Sequence, residues 1–96
     1  MKLVQVSFHF EYTAMIEALL DRHGVAEYIR HPMVEGRDCE GKHFGTQVFP
    51  GNVTVIQAQV EESGVVELLE DLARFRDAKP AHRHLQALVI AVERRL

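Results

Sequence analysis

The chain has 96 residues, 47% hydrophobic and 26% charged, with 14 acidic against 11 basic side chains and a net charge of −3. That length fits one domain, 1–96, and a lone copy of it buries only roughly 60–65% of its unfolded surface, so association over a second apolar face is expected. No basic stripe is present to neutralise phosphates, which argues against a nucleic-acid partner, and the one cysteine, Cys39, allows no internal disulfide. No apolar run approaches the roughly 18 residues of a membrane span, and the run at Met1–Ser7 breaks too early for a signal peptide. A soluble cytoplasmic protein without membrane insertion is the expectation.

Residues 3–10 alternate with a period of two, Val4, Val6, Phe8 and Phe10 on one face and Leu3, Gln5, Ser7 and His9 on the other, as in a half-buried strand. Over 12–23 the period becomes helical through Tyr12, Met15, Ile16, Leu19 and Leu20, with Thr13 as the expected N-cap and Gly24 as the stop. A second strand is predicted from about Ala26 to Glu35. It contains Pro32, which has no N–H to give to a ladder and so asks for an edge position. A polar loop with Gly36, Gly41, Gly45 and Gly51 follows, then a strand from Val53 to Val60 rich in β-branched residues. Residues 62–76 return to helical spacing through Val65, Leu68, Leu69, Leu72 and Phe75 and are ended by Asp77–Pro80. Leu85–Val92 is almost wholly apolar and is predicted to be the last strand.

The order β-α-β-β-α-β predicts an α+β, ferredoxin-like domain, a four-stranded antiparallel sheet with two helices on one face. Its spatial strand order is 4-1-3-2, which puts the second strand at the edge that Pro32 independently requires. The face away from the helices then carries Leu3, Gln5, Ser7, Val53, Val55, Gln57 and Gln59. This mixture suits a wet interface between subunits better than a solvated face.

The loop 36–51 is the most distinctive stretch. Gly36 to Lys42 spells GxxxxGK, but a phosphate loop needs a Ser or Thr after the lysine and a helix after the loop, and here His43 and a strand follow. The stretch can still hold an anion, with glycine-flanked backbone N–H groups near Arg37, Lys42 and His43, or it can be a solvated connection. The candidate ligand-binding residues are Gly36, Arg37, Gly41, Lys42, His43, Gly45 and Thr46.

Six histidines are present. His82 and His84 would share one side of a strand, and Cys39 or His43 could complete a metal set, yet no spacing motif fixes one and a flanking role at the strand start is the plainer reading. His9 reads as a surface or interface side chain and His23 as a last-turn residue that favours the helix dipole. Glu61–Glu62 and Glu70–Asp71 read as solvated helix positions. No nucleophile motif is present, and no catalytic residue is assigned.

The opening Met1-Lys2-Leu3-Val4, the helix closing at His23-Gly24-Val25, and the strand entering Val34-Glu35-Gly36-Arg37 together resemble the PII-like signalling proteins. Gly41-Lys42-His43-Phe44-Gly45-Thr46 and Phe49-Pro50-Gly51-Asn52 are similar to a shortened loop of the divergent PII-like group. The resemblance covers nearly the whole chain and implies a non-enzymatic regulatory protein, a homotrimer packed through its sheets. Its ligand clefts would lie between subunits near the base of the loop, binding a small anionic ligand, a nucleotide or a partner protein. The loop lacks the modifiable tyrosine of true PII proteins, and Ala78–His84 holds no glycine where they carry a nucleotide loop, so uridylylation is not expected and the cofactor stays unassigned. The alternatives are a CutA-like metal-binding protein using the histidines and a small dimeric α+β barrel enzyme.

Overall fold

The computed structural model describes residues 1–43 and 52–96. The elements are β1 (Lys2–His9), α1 (Thr13–Arg22), β2 (Tyr28–Val34), β3 (Gly36–Asp38), β4 (Gly41–His43), β5 (Val53–Val60), α2 (Glu62–Ala78) and β6 (Gln86–Ala91). The main sheet is antiparallel with four strands in the order β2-β5-β1-β6, so the expected 4-1-3-2 arrangement is found and β2 lies at an edge. Neither helix among the described residues is long and apolar enough to cross a membrane.

Period-two alternation in β1 and β5 drives the layering. Val4, Val6 and Phe8 of β1 and Ile56, Ala58 and Val60 of β5 are buried, while every intervening residue is half-exposed. Against them pack Ile16, Leu19 and Leu20 of α1 and Val65, Leu68 and Leu72 of α2. The helices thus cover one face, and each fully buried aliphatic or Phe side chain contributes about 1.5–3 kcal/mol through removal from water.

Helix α1 ends in a glycine cap. Gly24 has φ +70, its N–H donates to the Asp21 carbonyl, and the Val25 N–H reaches back to Leu20. That pairing satisfies carbonyls the last turn would otherwise leave open, and only glycine adopts the conformation without a steric cost.

Three local expectations change. β1 stops at His9, because the Phe10 N–H turns to the Asn52 carbonyl and a 3-10 turn, Phe10–Tyr12, follows; Phe10 is exposed instead of inward. Tyr12 rather than Thr13 is the N-cap, and the Thr13 hydroxyl donates to the Phe10 carbonyl at 2.7 Å. α2 continues to Ala78 before Lys79, extended as residues before proline are, leads into a second 3-10 turn, Pro80–His82.

In β2 a register shift between His31 and Val34 absorbs Pro32 and Met33, and Met33 has φ 55. A proline that cannot donate and a residue in the left-handed region belong at such an edge irregularity. The open sheet face carries Leu3, Gln5 and Ser7 opposite Ile90, Leu88 and Gln86 on one side, and opposite Gln59, Gln57 and Val55 on the other. Leu88 and Ile90 are 57% and 43% exposed there, and Ile29, paired with Gln57, is 61% exposed.

Candidate functional site

Immediately after β2, the chain forms a small hairpin where the sequence pattern predicts a loop. Gly36 pairs with His43, Arg37 with Lys42 and Asp38 with Gly41. Cys39 and Glu40 make the turn, Gly41 adopts φ +139, and the Asp38 carboxylate accepts the Glu40 N–H at 2.9 Å, closing the tip. The GxxxxGK stretch is therefore two strands and a turn.

Alternation within the hairpin separates its chemistry. Arg37 and Lys42 stand directly opposite one another on one face, and both are exposed. Asp38 and His43 lie on the other face, half-buried. There Asp38 Oδ2 accepts hydrogen bonds from His43 Nε2 at 2.9 Å and from His84 Nδ1 at 2.6 Å. The rings of His43 and His84 meet edge to face at 4.7 Å. Burial raises the Asp38 carboxyl, but the His84 bond, the Glu40 N–H and His43 together outweigh it and hold the group at about 2.

The hairpin is clamped to the turn before β6. Arg83 Nε donates to both Glu40 carboxylate oxygens at 2.8 Å, and Glu40 Oε2 lies 3.3 Å from His84 Nδ1. Between the hairpin and the open sheet face lies a cavity of ≈ 190 Å³. Its floor is Ser7, His9, Val53, Val55 and Gln86, and its roof and rim include Gly36, Arg37, Asp38, His43 and His84.

Of the expected binding residues, Gly36, Arg37 and His43 line this cavity, Gly41 and Lys42 belong to the same hairpin, and Gly45 and Thr46 lie outside the described residues. The histidines divide differently from their spacing. His82 is buried, its Nδ1 donates to the Phe75 carbonyl at 2.7 Å, and its ring stacks on Phe75 at 4.0 Å. It is a core residue and does not share a site with His84. Cys39 is exposed at the turn. His23, at the end of α1, bonds Asp71 of α2 at 2.7 Å, so Asp71 leaves the solvated role its position implies. His9 is a half-buried wall of the cavity.

Asp38 is the residue that sequence reasoning missed. Its five-residue spacing from His43 fits the two flanks of a tight hairpin, but that signal appears only once the loop is known to be one. His84 is 46 residues from Asp38 in the chain, and nothing local announces the contact.

No family model and no curated protein matches the sequence. Solved structures do. CPII, a nitrogen regulatory PII-like protein from Thiomonas intermedia K12 bound to ADP, AMP and bicarbonate, aligns with TM-score 0.76 and 25% identity over 93% of this chain and 88% of that one. A structure of CPII bound to ADP and bicarbonate aligns with TM-score 0.70 and 26% identity over 97% and 88%. A protein from Thermus thermophilus described as PII-like signaling shares the fold, with TM-score 0.64 and 17% identity over 92% and 82%. In fold, the chain is similar to these PII-like proteins.

Proposed function

We propose that the chain is a non-enzymatic PII-like regulator that assembles as a homotrimer through its open sheet face and binds a small anion beside the 36–43 hairpin. The observation that carries this reading is the cavity beside the hairpin, which Arg37, His43 and His84 line. The exposed Arg37 guanidinium at its rim has the planar fork that pairs with a small oxyanion. Similarity to CPII, whose structures hold ADP, AMP and bicarbonate, supplies the ligand classes.

Size refines the choice. The cavity of ≈ 190 Å³ lies below the ~300–1,000 Å³ usual for drug-sized ligands, so one subunit suits a bicarbonate-sized anion. A nucleotide needs further walls, and these come from neighbours if the exposed Leu88, Ile90 and Ile29 of the open face pack against other copies. The cavity floor belongs to that same face, which supports a ligand site at the seam between subunits. It lies on the side away from the helices, which favours this reading over a barrel enzyme with a pocket between sheet and helices.

Thermal shift with bicarbonate, ADP and AMP tests the binding, and native mass spectrometry counts the subunits. A ligand at 100 times its Kd stabilises by about 2.7 kcal/mol, several degrees in Tm for a chain of this size. Arg37→Ala and Lys42→Ala should remove that shift. A flat response to all three ligands, or a monomer at micromolar concentration, defeats the reading.

A further inference from the structure

We propose that Asp38, His43 and His84 form a site for a divalent transition cation of the Zn²⁺ class, with an open coordination position facing the cavity. Each residue offers one ligand atom, and these atoms lie within 4.8 Å of one another. His43 Nε2 and His84 Nδ1 converge on the same carboxylate oxygen, at 2.9 and 2.6 Å. Around a tetrahedral zinc with bonds of about 2.0–2.2 Å, ligand atoms stand roughly 3.3–3.5 Å apart. Shifts of less than about 1 Å in three side chains would therefore admit the ion into the space they already surround.

The donor set selects the metal. Two imidazoles and one carboxylate suit zinc, nickel, copper or ferrous iron, whereas calcium and magnesium prefer all-oxygen shells. Three protein ligands with a fourth position open is the arrangement of a zinc ion that still binds an exogenous group. The three side chains are 13%, 16% and 18% exposed, sheltered enough to strengthen coordination yet open to the cavity they line.

The surroundings hold these ligands in place. Asp38 Oδ1 is fixed by the Glu40 N–H, which leaves Oδ2 aimed at both rings. Glu40 is itself pinned by Arg83 from the same turn that carries His84. Such outer-shell contacts set ligand orientation and measurably affect metal affinity. Because the ligands come from the hairpin and from the turn before β6, a bound cation also ties those segments together.

The alternative is a purely hydrogen-bonded clamp, and metal titration separates the two. Chelator-treated protein, without nucleotide or bicarbonate, is titrated with Zn²⁺ by calorimetry and with Co²⁺ by visible absorption. The expected result is one ion per chain, with zinc-edge X-ray absorption of the wild type reporting two imidazole ligands. His43→Gln and His84→Gln should each weaken binding by more than about 100-fold, beyond the roughly 10–100-fold that the loss of an outer-shell partner commonly costs, while His31→Gln on the open face leaves it unchanged. Circular dichroism confirms that the variants fold. Absence of stoichiometric uptake by the wild type, a zinc shell without imidazole, or unchanged affinity in the folded His43→Gln/His84→Gln double variant overturns the site. The outcome is independent of whether the hairpin binds anions, since no anion ligand enters the titration.

Discussion

Thr54 is 1% exposed on the helix-facing side of β5, a hydroxyl set in an apolar layer. Its contact is Thr13 Oγ1 at 2.9 Å, and Thr13 donates its own proton to the Phe10 carbonyl at 2.7 Å. A hydroxyl has one proton, so Thr54 must be the donor to Thr13. The relay joins the start of α1 to β5 next to Val53, a wall of the cavity. Thr13→Val keeps the shape but strands the Thr54 donor, at a cost of about 1–3 kcal/mol. Thr54→Val removes the donor itself, leaves Thr13 bonded to Phe10, and should cost less. The double variant should therefore be more stable than Thr13→Val alone, an inversion that simple loss of contacts does not produce. Urea unfolding at one fixed protein concentration measures all four corners of the cycle, the fixed concentration holding any assembly contribution constant. If Thr54→Val further destabilises the Thr13→Val protein, or if Thr13→Val costs less than about 0.5 kcal/mol, the assigned direction of the relay is wrong.

Glu17 accepts from Arg30 at 2.6 Å and from Tyr28 at 2.9 Å, joining α1 to β2. The Arg30 bond lowers its carboxyl below 4.5, burial opposes this, and the Tyr28 bond lowers it again. A depressed carboxyl stabilises the fold above its unfolded value and loses that contribution as pH falls through the folded one. Glu17→Gln should accordingly cost about 1 kcal/mol at neutral pH, and the gap to wild type should close on acidification below the ordinary carboxylate range; a pH-independent gap in urea midpoints contradicts this. Leu68 is fully buried, so Leu68→Ala should cost about 2–5 kcal/mol by equilibrium unfolding, and a loss under ~1 kcal/mol would show that the helices do not pack on the sheet as described. Leu88→Lys on the open face should dissociate the proposed trimer in sedimentation, while Val66→Lys, 65% exposed on α2, should not; equal behaviour of the two would remove that face as the interface.

What was legible in the sequence is what side-chain periodicity and backbone chemistry dictate locally. Val4, Val6, Phe8 and the Val53–Val60 run announce half-buried strands, Gly24 announces a helix end, and Pro32 announces an edge. Together these suffice for the strand order. The boundaries that moved did so through single long-range bonds: the Phe10 N–H finds Asn52, ends β1 and turns Phe10 outward. The candidate site was half legible for the same reason. Arg37, Lys42 and His43 stand out in a glycine-spotted segment, but the ligand geometry depends on Asp38 meeting His84 across 46 residues. The sequence spacing that did look suggestive, His82 with His84, is dissolved by a 3-10 turn that sends His82 into the core against Phe75.

The hairpin's alternation gives the two proposed binding events separate residues in adjacent space. Arg37 and Lys42 occupy one face and Asp38 and His43 the other, within a unit only three residue pairs long. A cation held by Asp38, His43 and His84 would place positive charge beside the cavity that Arg37 lines, and a fourth coordination position would offer an anion a direct ligand. The two sites would then be coupled, and linkage requires the coupling to be reciprocal: zinc tightens bicarbonate by the same factor by which bicarbonate tightens zinc. Arg37→Ala should weaken the anion while leaving zinc affinity measured without anion intact, and His84→Gln should abolish the enhancement while sparing whatever anion affinity exists without metal. An enhancement factor of one, zinc leaving bicarbonate affinity unchanged, would mean that the anion and the cation are not meeting on one subunit's hairpin.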